Sequence, residues 1–342
     1  MAESVEPPRE RGIWAPLGVL ILLSYLAQVP LFRILIPFPV PLVALAPLVA
    51  AAALAGWFRE GGFPALPIFW VGTSVALLGR LLQVGGTFAP LAGGWLLLLA
   101  LAFTVRLVRW PDRPMLVQAG WSVAATAAAT LAVLLVSPGG LAGAVTAVGE
   151  ELGARALAAS REWQAMTATP AWQELVASAP AWAEMAAEVE RQLDSWPARV
   201  RGLFPALVVL QSLLTLALAW AMVHRLGRRR VGPPMSALRS FRFDDRLVWG
   251  VVLGLALVAA PGDGRWQQGG VNLLVVFGAL YAIRGMGVMV WFLAPGRWQT
   301  LAWGVLTLLF WPVIGAVAIG LGLGDTWFVW RRDPRRESQR VE

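Results

Sequence analysis

An all-α bundle that crosses a bilayer many times is the fold the sequence predicts, and three observations predict it. Of the 342 residues, 58% are hydrophobic and 14% are charged, with a mean hydropathy of +0.66; soluble domains of this length carry nearly twice that charge. The apolar residues come in blocks of about twenty, which as helices reach across a hydrocarbon core of roughly 30 Å. All 28 basic residues are arginine, and most of their excess over the 20 acids sits in short loops beside the blocks, the pattern that places such loops on the cytoplasmic side. The net charge of +8 therefore reads as a membrane feature, and no nucleic acid is expected as a partner.

Nine hydrophobic segments are expected, at 13–29, 40–57, 64–83, 88–108, 115–136, 202–223, 247–260, 270–295 and 299–322. Residues 1–12 form a short N-terminus of mixed charge. No small-x-small cleavage site follows the first segment, so it is expected as an uncleaved span. Pro30, Pro37, Pro39 and Pro41 set a stiff elbow between the first two segments. Segments one to five make an N-terminal membrane half, 13–136, and segments six to nine a C-terminal half, 202–330, followed by a basic tail, 331–342. Arg106, Arg109 and Arg113 follow segment four, and Arg225, Arg228, Arg229, Arg230, Arg239, Arg242 and Arg246 follow segment six, against Asp244 and Asp245. Both loops are assigned to the cytoplasm, which puts the N-terminus there too. Three crossings after the second loop would leave the basic tail outside. Eight crossings rather than nine resolve this, with the short segment seven or the proline-containing segment nine as the one that does not cross.

Residues 137–201 differ from the rest, with eight acids and five arginines. They are expected as an exocytoplasmic amphipathic helical insert. Pro170 and Pro180 suit helix first turns, and from Trp182 the apolar residues fall at 182, 185, 186, 189, 193 and 196, one helical stripe. Glu184, Glu188, Glu190 and Asp194 lie off it. The expected place is the protein's own outer rim; the alternative is a docking face for a membrane-protein partner.

Enzymatic chemistry is not expected. There is no cysteine and one histidine, His224, at the end of segment six, so no zinc site and no cofactor is implied. Membrane enzymes place ionisable groups within the bilayer, and here the segments hold no Asp or Glu before the edge of the ninth. Gly322-Leu323-Gly324-Asp325 matches the G-x-G-D of intramembrane aspartyl proteases. That chemistry needs a second aspartate, which in those enzymes follows a tyrosine; Tyr25 and Tyr281 precede Leu26 and Ala282. Close helix approach explains the glycines better, and Gly250/Gly254 and Gly320/Gly324 have the spacing for it.

Arg284 stands in the middle of segment eight, which Asn272 opens. A lone arginine facing lipid costs at least about 2.5–3.5 kcal/mol, so it is expected to face protein or a wet cavity. If segments eight and nine turn near Gly296, it lies level with 310–312. There the Leu308 carbonyl is freed by Pro312 and Trp311 offers a ring face. The alternative is an anionic group of a bound solute, with Gly285 and Gly287 leaving room for it.

The runs SALRSFRFDDRLVW, NLLVVFGALYAIRGMGVMVWFLAP and GLGLGDTWFVWRR resemble the YybS-like family of bacterial membrane proteins (domain of unknown function 2232). An asparagine-led span with a central polar-Gly pair and a closing G-x-x-D-x-W-F-x-x-R carry the resemblance, through Asn272, Arg284, Gly285, Gly322, Gly324, Asp325, Trp327, Phe328 and Arg331. It implies a multi-pass protein of the bacterial inner membrane. A more distant similarity to the substrate-binding S components of vitamin transporters implies binding or transport of a small polar or anionic solute, with Arg284, Asn272, Gly285 and Trp311 around it. Segment one lacks the A-x-x-x-A face by which such components dock to an energising module. A non-enzymatic scaffold or envelope-assembly partner, docking through 137–201, is the alternative function.

Overall fold

The computed structural model describes residues 14–61, 64–84, 86–226, 232–262, 264–294, 296–328 and 330–331. The expected cytoplasmic segment 1–12, Arg228, Arg229, Arg230 and the basic tail beyond Arg331 lie outside them. Among the described residues all regular structure is helical. The chain divides into two compact units, 1–235 and 236–342.

The first unit is built round α3 (Pro41–Glu60), with α4 (Ala65–Val84), α5 (Ala89–Arg109) and α9 (Ala181–Leu226) against it. Ala46, Ala50, Ala51, Ala52 and Ala55 of α3 are buried, because small side chains let neighbouring helices approach closely where lipid supplies no hydrophobic drive. Leu48 joins Leu99 and Phe103 of α5 and Leu216, Ala219 and Trp220 of α9 in one core cluster. The apolar residues on the other faces, such as Ile68, Phe69 and Val75 of α4 and Leu97, Leu101 and Val105 of α5, are exposed, as surfaces solvated by acyl chains are. α1 (Trp14–Leu26) precedes a short α2 (Pro30–Leu35). The expected elbow is thus a turn of helix followed by a bent, non-helical stretch from Ile36 to Val40. Pro30 and Pro41 occupy first-turn positions, where the missing N–H is not needed.

Residues 137–201 are helical, as expected: α7 (Gly140–Thr167), α8 (Pro170–Ser178) and the start of α9. α9 is continuous through 201, so its 46 residues carry both the end of this region and the sixth hydrophobic segment. α7 packs on α2 and α9, with Leu152 and Ala159 in a second core beside Ile34, Phe38, Phe88 and Phe204.

Arg155, one of the five arginines of this region, is buried. Its Nη1 and Nη2 donate to the carbonyls of Ile36 and Pro37 at 2.8 and 3.2 Å, and its Nε to Glu151 at 2.7 Å. Burial pulls its pKa below the ordinary arginine value, against the opposing pull of Glu151. Arg155→Ala is expected to cost about 1.5–3 kcal/mol, the worth of hydrogen bonds from a charged group. Glu151→Gln should cost about 1–3 kcal/mol, since it takes the carboxylate from a buried guanidinium that keeps only the two carbonyls. Thermal unfolding of the purified protein in detergent checks both.

The second unit holds α10 (Val248–Ala259), α11 (Arg265–Leu293), α12 (Arg297–Leu309) and α13 (Trp311–Trp327), preceded by a loop with two short 3-10 turns at Leu238–Ser240 and Asp245–Leu247. Among the described residues of the whole chain, six helices are long and apolar enough to cross a membrane. They are α3 to α6 (α6 being Met115–Val136), α9 and α11. The other three expected segments fall short. Segment one yields a 13-residue helix and segment seven a 12-residue helix. Segment nine breaks at Phe310 into α12 and α13, because Pro312 cannot donate to Leu308 and the helical ladder is interrupted there.

Candidate functional site

In the second unit, α11 and α13 run antiparallel and touch backbone to backbone. A Cβ added to Gly285 would overlap the Ala318 carbonyl and the Gly322 nitrogen, and one on Gly322 would overlap the Tyr281 carbonyl. The small residues at the crossing are Ala318 and Gly322. The expected Gly320 meets nothing, and Gly324 packs beneath Trp330. Gly250 and Gly254 do make the expected close contact, against Phe277, Leu274 and Gly270 of α11.

This crossing sets the surroundings of Arg284. Helical side chains lean toward their own N-terminus, so Arg284 reaches back from the crossing to the last turn of α13. Its Nε donates to Asp325 Oδ2 at 2.9 Å, its Nη2 to the Asp325 carbonyl at 2.8 Å and its Nη1 to Asp245 Oδ1 at 2.7 Å. The Phe243 ring lies 5.2 Å from its guanidinium carbon. Asp325 has no exposed side-chain area and also takes Arg331 Nη2 at 2.5 Å, Arg331 Nε at 3.3 Å and Arg242 Nη2 at 3.4 Å. Arg331 in turn donates to the carbonyls of Arg239 and Phe241 at 3.1 Å, so the loop, α11 and the end of α13 are tied through one carboxylate.

The expected neighbours of Arg284 are corrected accordingly. Trp311 is 69% exposed and opens α13, fourteen positions before Asp325 and thus about 21 Å away along the axis at 1.5 Å per residue. Asn272 lies twelve positions from Arg284, about 18 Å along α11, and its amide donates to the Gln268 carbonyl at 2.8 Å. The two are not brought together. The spaces beside Gly285 and Gly287 are filled by α13 and by the Leu238 carbonyl, not left for a ligand. Trp327 is exposed. Sequence reading missed Asp245 and Arg242, which it treated as loop charges. The signal for them was the unusual pair of acids inside an arginine-rich loop.

In the first unit, α1, α2, the elbow, α3 and α9 line a half-open cavity of about 210 Å³. Leu20, Leu23, Ile36, Leu45, Leu210 and Leu214 contribute to its wall, and its polar members are Gln211 and Thr215. Both are engaged elsewhere. Gln211 accepts from the Phe38 N–H and donates to the Phe38 carbonyl, each at 2.8 Å, and Thr215 donates to the Gln211 carbonyl at 2.7 Å. Gln211 and Arg155 therefore hold residues 36–38, the rim of the cavity, from two sides.

His224 is a packed residue of this unit. It stacks on Trp220 at 4.9 Å, with Nδ1 2.9 Å from the Trp220 carbonyl and Nε2 3.2 Å from that of Gly232. Among the described residues no three His, Cys, Asp or Glu side chains are grouped to hold a metal ion.

No curated protein and no solved structure matches the chain. The profile of one family does, over residues 114–326, more than half of the sequence; that stretch takes in the α11–α13 crossing, Asp245, Arg284 and Asp325, and the chain belongs to the family described as predicted membrane protein (DUF2232).

Proposed function

We propose that this is a non-enzymatic protein of the bacterial inner membrane, with a cytoplasmic N-terminus, that binds a small apolar or amphipathic molecule in the cavity of the first unit. The apolar lining of that cavity carries the proposal. An apolar wall favours burying apolar groups over polar ones, and about 210 Å³ of half-open space has room for a ring or short branched chain. The polar or anionic solute expected at Arg284 is less well supported, because its guanidinium nitrogens already meet carboxylate and carbonyl oxygens.

The test is a ligand screen by thermal shift on the detergent-purified chain. Apolar and amphipathic compounds should raise Tm, and Leu210→Trp, which fills the cavity, should abolish the rise. An anionic compound whose stabilisation survives Leu210→Trp and is lost in Arg284→Gln would overturn the proposal.

Docking to a membrane partner is the second reading, and one observation favours it. α8 buries none of its residues, and Leu175, Trp182 and Met185 stay exposed beside exposed Glu184 and Glu188. A copurifying partner that depends on this face would be lost on Trp182→Glu.

A further inference from the structure

Among the described residues, Arg33, Arg155, Arg191, Arg242, Arg284 and Arg331 each have a carboxylate within ion-pair distance. Arg106, in the last turn of α5, is different. Among the described residues no carboxylate pairs with it, and its Nε is buried with no acceptor. What it has instead is two indoles, with ring centres 4.3 Å (Trp110) and 5.7 Å (Trp121) from its guanidinium carbon. Contact with two ring faces helps to hold the group in place, and its terminal nitrogens, rather than the buried Nε, are the donors left for a planar or tetrahedral oxyanion.

The surroundings carry the same sign. Arg109 and Arg113 are exposed in the same turn and loop, and Asp112 is the one acid between them. The loop is pinned: Gln118, fully buried at the start of α6, donates its amide to the Trp110 carbonyl. Trp110 and Trp121 are 43% and 61% exposed. The exposed apolar residues Leu101, Val105 and Val117 continue from them along α5 and α6, both long enough to span a membrane. Tryptophan at the end of such a helix sits at headgroup level, where a basic cluster attracts anionic lipid.

We infer that Arg106, in contact with Trp110 and Trp121, binds the phosphate of an anionic phospholipid headgroup, with Arg109 and Arg113 supplying the bias against zwitterionic lipid. The inference is independent of the cavity.

Native mass spectrometry of the full chain from detergent tests it, with phosphatidylglycerol, phosphatidylcholine and inorganic phosphate as separate probes. Phosphatidylglycerol should be retained over phosphatidylcholine. Arg106→Gln should weaken phosphatidylglycerol about fivefold, the share of one arginine near a charged headgroup, and leave phosphatidylcholine unchanged. Arg80→Gln, which alters an exposed arginine on α4, should change neither. Trp121→Leu, at an exposed position where folding is not at stake, should weaken phosphatidylglycerol in the same direction. Retention of phosphatidylglycerol by both Arg106→Gln and Trp121→Leu at the level of the unaltered chain would overturn the inference. Its displacement by inorganic phosphate at equal concentration would overturn the assignment to lipid, giving the same oxyanion chemistry to a soluble ion.

Discussion

Asp325→Asn is expected to cost about 3–5 kcal/mol of stability, the usual consequence of removing one partner from a buried ion pair. The magnitude follows from what is stranded. The side chains of Arg284 and Arg331 are 2% and 4% exposed and would keep their charge with no buried anion to meet it. Asparagine keeps the shape and one acceptor oxygen but cannot neutralise either guanidinium. Asp245→Asn, by contrast, should cost under about 1 kcal/mol: that side chain is 60% exposed, and Arg284 retains Asp325 without it. Thermal unfolding in detergent, followed by size-exclusion, orders the two. A double replacement, Arg284→Met with Asp325→Leu, should cost less than the sum of the single changes, because it removes one of the two stranded guanidiniums together with its partner and leaves only Arg331 unmatched. Equal melting temperatures for Asp325→Asn and Asp245→Asn would mean that Asp325 is not the centre of the cluster.

That cluster shows where the sequence was legible and where it was not. The helical class, the membrane location and most element positions follow from composition and block length, since a backbone in lipid has to bond within its own helix. The motif Gly322, Asp325 and Arg331 was also visible, and so was the need of Arg284 for shelter. The partner was not. Level-matching from a turn near Gly296 pairs Arg284 with 310–312, but the break at Phe310 spends a helix, α12, before the pairing begins, and α13 meets α11 several residues later in register. Asp245 was hidden for another reason: counting loop charges for orientation treats them as solvated, whereas the Leu238 carbonyl rests on Gly287 and brings the loop onto α11. Arg155 was missed likewise. Its i, i+4 relation to Glu151 is the ordinary mark of an exposed pair, and only the docking of α7 on the elbow turns it inward.

Gly285→Ala should be the most damaging small substitution in the second unit. Overpacking by one methyl group costs about 1–3 kcal/mol where side chains can yield. Here the added carbon meets the Ala318 carbonyl and the Gly322 nitrogen, which are backbone and cannot rotate away, so the two helices must part. Arg284 is the next residue, and a separation at the crossing pulls its Nε and Nη2 off Asp325 as well. The loss should therefore exceed about 3 kcal/mol, overpacking and a broken buried pair combining. Gly320→Ala is the matching control, because a Cβ there meets nothing; it should be neutral or stabilising by up to about 1 kcal/mol through helix propensity. Melting curves of the two variants separate a specific crossing from a general intolerance of α13 and α11 to change. Should Gly285→Ala melt with Gly320→Ala, the helices do not touch at Gly285 and Gly322, and the reach of Arg284 to Asp325 loses the contact that positions it.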